Sequence, residues 1–156
     1  MRNVSLLLIA LLAACEALPR DTEGSLDRAR AAAPLEIGYT VAEPWVRSGA
    51  AAPSGLEADL VRAWARGEGV ALRWRQASQS QLVESLHTGR IALAIGGFVQ
   101  SHPYGAQIGT TQPYLKPERL VIATQPAEHR LTLSLDRFLH AHGEAIERRA
   151  AAERIK

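Results

Sequence analysis

The spacing of apolar residues changes period several times along this chain, and each change marks an element. Residues 35–41 (Leu-Glu-Ile-Gly-Tyr-Thr-Val) alternate apolar and polar, the period of a strand with one buried face. From Leu56 the spacing turns helical: Leu56, Leu60, Val61 and Trp64 share one side, and Glu57 and Asp59 occupy the first turn, where the helix dipole favours acids. Gly67 and Gly69 stop that helix, and residues 70–74 alternate again. Leu82, Val83 and Leu86 predict a helix over 79–87, closed by Gly89. Ile91-Ala92-Leu93-Ala94-Ile95 is a continuous apolar run, as expected of a strand covered on both faces. Residues 120–123 predict one more strand. Leu131, Leu135, Phe138, Leu139 and Ile146 line one face of a single final helix. The order strand-helix-strand-helix-strand, then strand, then helix predicts an α/β fold, a mainly parallel sheet with flanking helices. Trp64 and Trp74 lie in regular elements and are predicted core residues.

Two connections are long and rich in turn residues. Residues 42–54 carry two prolines around a lone aromatic, Trp45, and residues 100–114 follow directly on Gly96-Gly97-Phe98. Loops of that length at strand ends are where binding residues concentrate. A ring at Trp45 suits stacking on a flat or cationic group, or equally plugs the top of its own domain.

The first residues follow a different pattern. Met1-Arg2-Asn3 is a short positive start, and residues 4–12 are apolar apart from Ser5. The run is far shorter than the roughly 20 residues that span a bilayer, so it reads as the apolar region of a signal peptide. Leu12-Ala13-Ala14-Cys15 resembles the lipobox of bacterial lipoproteins. That resemblance makes residues 1–15 a lipoprotein signal with its lipobox Cys, and implies lipidation of Cys15, removal of the peptide before it, and a membrane anchor of several acyl chains. Each buried methylene contributes about 0.8 kcal/mol, so such an anchor holds firmly. The other reading is an ordinary secretory signal with an incidental Cys. Glu16 in place of Asp after the Cys matches the sorting pattern for the outer membrane of a Gram-negative cell, with the inner membrane as the alternative, and the domain is expected in the periplasm. Residues 16–33 are polar and Ala-rich and are expected to form a tether with a short helix around 26–32, leaving 34–156 as the domain.

Composition narrows the chemistry. A chain of 156 residues suits one domain, and 47% hydrophobic with 22% charged residues is a globular balance. A net charge of +2 with scattered arginines offers no phosphate-binding stripe, so nucleic acid is not an expected partner. The single Cys excludes a disulfide within the chain. His140 and Glu144 are spaced as helical metal ligands, but no third ligand accompanies them, so no metal is expected. Ser54 and Ser80 lack a Gly-x-Ser-x-Gly elbow and Gly96-Gly97 lacks a phosphate-loop pattern, so neither a hydrolase nor a nucleotide cofactor is expected, nor an enzyme of any kind.

Across residues 35–123 the order of motifs resembles the family-3 extracellular solute-binding proteins, receptors of ABC importers. The residues that carry the resemblance are Leu35-Glu36-Ile37-Gly38-Tyr39, Glu43-Pro44-Trp45, Gly55-Leu56-Glu57-Ala58-Asp59-Leu60, Gly89-Arg90-Ile91, Gly96-Gly97-Phe98 and Gln112-Pro113-Tyr114. The resemblance implies the periplasmic-binding-protein type II fold. Full members have two hinged lobes. Here the chain passes from residues 120–123 almost directly to Leu133-Ser134-Leu135-Asp136-Arg137-Phe138-Leu139, which resembles the family's closing helix, so a single lobe is expected. Counting back from Pro113-Tyr114 places Val99 and Tyr104 where amino-acid receptors keep a Thr and an Arg, and Ala92 where an Asp is common. A guanidinium grips a carboxylate through two bonds, whereas Tyr offers one neutral hydroxyl. Free amino acids are therefore not the implied ligand. What the resemblance implies is a small polar or aromatic solute held by Trp45, Gly96, Gly97, Phe98 and Tyr104, with an ABC permease or another envelope protein as partner. The alternative is an interaction lipoprotein whose former interlobe surface docks a partner or a second copy.

Overall fold

The computed structural model describes residues 24–31 and 33–155. The sheet is built around β1 (Leu35–Tyr39), which pairs in parallel with β2 (Leu72–Gln76) on one side and β3 (Leu93–Ile95) on the other. β5 (Ala123–Thr124) runs antiparallel to β3, and β4 (Gly109–Thr110) antiparallel to β5, giving the order β2-β1-β3-β5-β4. The parallel part is the half of the sheet whose strands are joined by helices. Beyond β3 the chain reaches β4 through the loop 96–108, in which the only regular element is a short 3-10 turn at 105–107. β5 then inserts antiparallel between β3 and β4, which run in the same direction. The strand expected at 120–123 is displaced towards its end. Leu120 makes only isolated bridges, to Val99 and Leu115, and the ladder begins at Ala123.

Helices cover both faces of the sheet. α2 (Leu56–Glu68) and the C-terminal helices lie on one face, and α3 (Gln79–His87) on the other. On β1, Leu35, Ile37 and Tyr39 enter the core shared with α2, while Gly38 faces α3. A Cβ at Gly38 would stand 2.5 Å from Leu82 Cδ2 and 2.6 Å from Ile91 Cδ1, so the missing side chain is what lets α3 approach. β3 is buried on both sides, with Leu93 and Ile95 in one core and Ala94 in the other, as its unbroken apolar run requires. Ser78 caps α3 through a reciprocal bond pair with Gln81. Trp64 is 1% exposed and donates its Nε1–H to Ser134 Oγ at 2.9 Å. Trp74, on the edge strand, is only half-buried, with the Arg62 guanidinium over its ring at 5.4 Å.

The single final helix expected from the apolar pattern is two helices, α4 (His129–Ala141) and α5 (Gly143–Arg154). Leu139 and Ile146 are seven apart, a spacing that keeps one face of a straight helix, so periodicity alone hides the break. Gly143, weak inside any helix, is the residue that marks it. α4 buries Leu131, Leu135 and Leu139, and α5 buries Ile146 and Ala150 against α2. Only residues 125–128 separate β5 from α4.

Within the segment expected as a tether, residues from Ser25 onward form α1 (Ser25–Ala31). Leu26 and Ala29 are buried against α4 and β1, and Ser25 donates from Oγ to the buried Glu128 carboxylate at 3.0 Å. Residues 1–23, with Cys15 and the signal pattern, lie outside the described residues. Among the described residues no helix is long and apolar enough to cross a membrane.

Candidate functional site

The topology selects one place on the molecule. From β1 the chain crosses through α2 to β2, and from β2 it crosses back through α3 to β3 on the other side of β1. The two helices cover opposite faces, so the loops leaving the carboxyl ends of β1 and β3 diverge and leave a crevice. In open α/β sheets ligands bind at such a switch point. Residues 40–42, 77–79 and 96–98, which follow β1, β2 and β3, meet there.

Two backbone runs touch at the floor of this crevice. The Thr40 amide donates to the Ile95 carbonyl at 3.1 Å, and the next residue, Gly96, has φ 140. A Cβ at Gly96 would lie 2.3 Å from Thr40 Cγ2 and 2.9 Å from the Thr40 carbonyl oxygen. No side chain fits between these strand ends, and few residues other than glycine adopt that φ. The Gly96-Gly97 turn is held from below by Glu57, which is fully buried. Glu57 Oε2 accepts the Gly96 amide at 2.8 Å and the Gly97 amide at 3.1 Å, and Oε1 accepts the Tyr114 hydroxyl at 2.5 Å. Burial pushes the Glu57 carboxyl above its usual range, and the bonds from Tyr114, Gly97 and Gly96 only partly offset that. The same burial, with the Glu57 charge and bond beside it, pushes the Tyr114 hydroxyl well up.

One wall of the crevice comes from α3. The Tyr104 hydroxyl donates to Gln79 Oε1 at 3.1 Å, and its ring stacks on His102 with centroids 5.7 Å apart. At the end of β2, Gln76 accepts the Tyr39 hydroxyl at 3.1 Å. The rim is apolar and open: Val41 is 42% exposed and Val99 37%.

The residues singled out from sequence therefore divide. Gly96, Gly97 and Tyr104 converge on the crevice. Trp45 is 8% exposed and belongs to the main core, with Arg154 over its ring at 5.5 Å, so its indole plugs its own domain. Phe98 is 1% exposed and packs in the core under α3 with Leu82, Leu86 and Val121. Those two rings are packing groups in this structure. Glu57 and Gln79 are not among the site residues that the sequence singles out. The signal for Glu57 is positional: it shares a stripe with Val61 and Trp64, four and seven residues on, so the carboxylate sits on the apolar face of its helix. Nothing local distinguishes Gln79, which reaches the crevice only because α3 starts where β2 ends. Two other grooves lie elsewhere on the flanks. One of ≈ 520 Å³ lies between α1, α2 and α4, and another of ≈ 520 Å³ runs beside α3 at Arg75, Gln81 and Glu84. Neither combines divergent strand ends with converging loops.

This arrangement matches a known class. Residues 35–147 match the sequence pattern of the bacterial extracellular solute-binding proteins, family 3, and the chain belongs to that family. Its fold is similar to that of domain 1 of TmArgBP in the arginine-bound form, a single-substitution mutant of which aligns with a TM-score of 0.68 at 20% identity, covering 76% of this chain and 98% of that one. The unsubstituted arginine-bound domain 1 aligns at 0.63, again with 20% identity, over 74% and 94% of the two chains. An ancestral cationic amino acid solute-binding protein aligns at 0.52 and 20% identity over 59% of this chain but 41% of its own length. The chain is thus a single lobe of the solute-binding fold. No curated protein matches its sequence.

Proposed function

We propose that this protein is a lipid-anchored, single-lobe solute-binding protein of the periplasm, taking a small polar or aromatic solute at the carboxyl ends of β1 and β3 as receptor or accessory of an ABC importer. The observation that carries the proposal is the convergence of the pinned Gly96-Gly97 turn and the Tyr104–Gln79 pair at the switch point of a family-3 lobe. That domain 1 of TmArgBP has an arginine-bound form supports the idea that one lobe of this fold suffices to hold a solute. The family's extracellular description supports a location beyond the cytoplasmic membrane, and the lipobox at Cys15 supports anchoring there. With one lobe, less of the ligand is covered than in a closed clamp, so weak binding is expected.

A specific observation favours a second reading. Val41 and Val99, 42% and 37% exposed, flank the crevice, and exposed apolar groups at a former lobe interface suit docking of another envelope protein. The test is thermal-shift screening of the purified chain against amines, amino acids, sugars and small aromatic acids, with Tyr104→Ala as control. A ligand at 100 times its Kd stabilises the folded state by about 2.7 kcal/mol. A shift that Tyr104→Ala abolishes, while retaining its own unfolding transition, supports the receptor. No shift with any class, together with self-association lost in Val41→Lys, overturns it in favour of docking.

A further inference from the structure

Among the described residues, Glu57 is the side chain that ties the loops around the crevice together, and the proposed solute contacts do not use it. Its carboxylate takes two amides from the Gly96-Gly97 turn and the hydroxyl of Tyr114, at the end of the long 100–114 loop. Its own amide donates to the Trp45 carbonyl at 3.1 Å, in the loop that follows β1. Gly55, two residues earlier, lies so close that a Cβ there would stand 2.5 Å from the same Trp45 oxygen, which fixes the start of α2 against that loop. Three segments are thus joined at one residue. A purely structural link of this kind is ordinarily made by neutral groups, because a buried carboxylate without a cation is costly.

Among the described residues no cation compensates it. The groups facing Glu57 are the two glycine amides and Tyr114. Beyond Tyr114 stands Glu118, which is held through both oxygens by Arg154, and on α2 itself Asp59 is paired with Arg62 and Arg149. All three bonds to the carboxylate come from donors, the arrangement that suits its ionised form. When the carboxyl takes up a proton, one oxygen becomes a donor. Neither glycine amide can accept it, so the new O–H must turn to Tyr114, whose hydroxyl then has to give up its role as donor.

We propose that Glu57 is the positioning residue of the crevice, and that the geometry of the Gly96-Gly97 turn and of Tyr114 follows the protonation of this single carboxyl. The inference rests on reading the crevice as the solute site, but its test does not require a solute. In the 15N-labelled full chain, the Gly96 and Gly97 amides are expected to move together as pH falls, with a shared midpoint above 4.5, the ordinary value for a Glu carboxyl. In Glu57→Gln, whose amide oxygen still accepts both glycine amides, that titration is lost while the rest of the spectrum superimposes. Amides that stay fixed above the ordinary Glu range overturn the proposal, as do amides that titrate equally in the Gln variant. So does movement that coincides with loss of the whole folded spectrum. The wild-type titration decides even if Glu57→Gln does not fold. Any solute found by screening provides a separate arm: its affinity should change with pH in the wild type and not in Glu57→Gln. Failure to find a solute counts against the receptor reading alone, since the amide titration is scored without one.

Discussion

Replacing Gly96 by Ala tests whether the floor of the crevice is built as described. Two costs add at this position. A residue with a Cβ held at φ 140 is strained, by about 1–3 kcal/mol for conformations of this kind. The new methyl would also stand 2.3 Å from Thr40 Cγ2 and 2.9 Å from a backbone oxygen, and only the first of these can swing away. Overpacking of that sort costs about 1–3 kcal/mol. The lower ends of the two ranges, less the roughly 0.5 kcal/mol that Ala gains by restricting the unfolded chain, set a floor of about 1.5 kcal/mol, and about 3 is expected. For a chain of this length that corresponds to a fall in Tm of about 6–12 °C. Gly69 is the control. It ends α2 at φ 69, and a Cβ there would meet nothing within 4 Å, so Gly69→Ala brings strain without collision and should cost about 1 kcal/mol or less. Urea unfolding followed by tryptophan fluorescence measures both, with equal m-values as the sign that the same transition is being compared. If Gly96→Ala costs no more than Gly69→Ala, the two strand ends are not in contact and the crevice is wider than described.

Other perturbations have defined outcomes. Leu26→Ala, at a side chain 2% exposed, should cost about 2–4 kcal/mol in the same assay, showing that α1 belongs to the folded unit; a change within about 0.5 kcal/mol would return that segment to the role of a tether. Trp45→Ala should lose about 3–5 kcal/mol whether or not a solute is present, because the indole is core; a variant of unchanged stability that loses only solute binding would make Trp45 a contact residue instead. The raised carboxyl of Glu57 also has a stability consequence. Its folded-state pKa lies above the unfolded value, so its contribution is fully present below pH 4.5 and is lost as pH rises through the folded pKa. Glu57→Gln should remove that slope, read from urea midpoints across the acid range, and an unchanged slope would assign it to another group.

The sequence carries the fold at those places where period and punctuation agree. α3 begins and ends at its expected residues because Leu82, Val83 and Leu86 mark its face and Gly89 its end, and the structure adds the Ser78–Gln81 cap that fixes its start. β3 is legible because five apolar residues in a row suit a strand covered on both faces. The break at Gly143 is not, because α4 and α5 preserve a common apolar face across it. The site is less legible than the fold. Aromatic rings draw attention to Trp45 and Phe98, yet in a small domain large apolar rings are needed first for the core, and both are used there. Glycines at 96 and 97 are informative because close backbone approach at Gly96 and a φ of 68 at Gly97 admit little else. Gln79 reaches the crevice, and Glu57 the space beneath it, by tertiary placement, which a local pattern does not encode.

The short passage from β5 to α4 bears on how such a protein communicates. Two-lobed receptors announce a captured ligand by changing shape, and a membrane partner can tell loaded from empty by that change alone. With only residues 125–128 between β5 and α4, no second lobe is inserted at that point and there is no hinge there to bend. On the proposed function, a partner that reads this lobe would sense occupancy by touching the crevice itself and would complete the enclosure that a second lobe otherwise provides. Release would then need no reopening step, and exchange would be fast, limited by how well the partner covers the exposed side of the ligand.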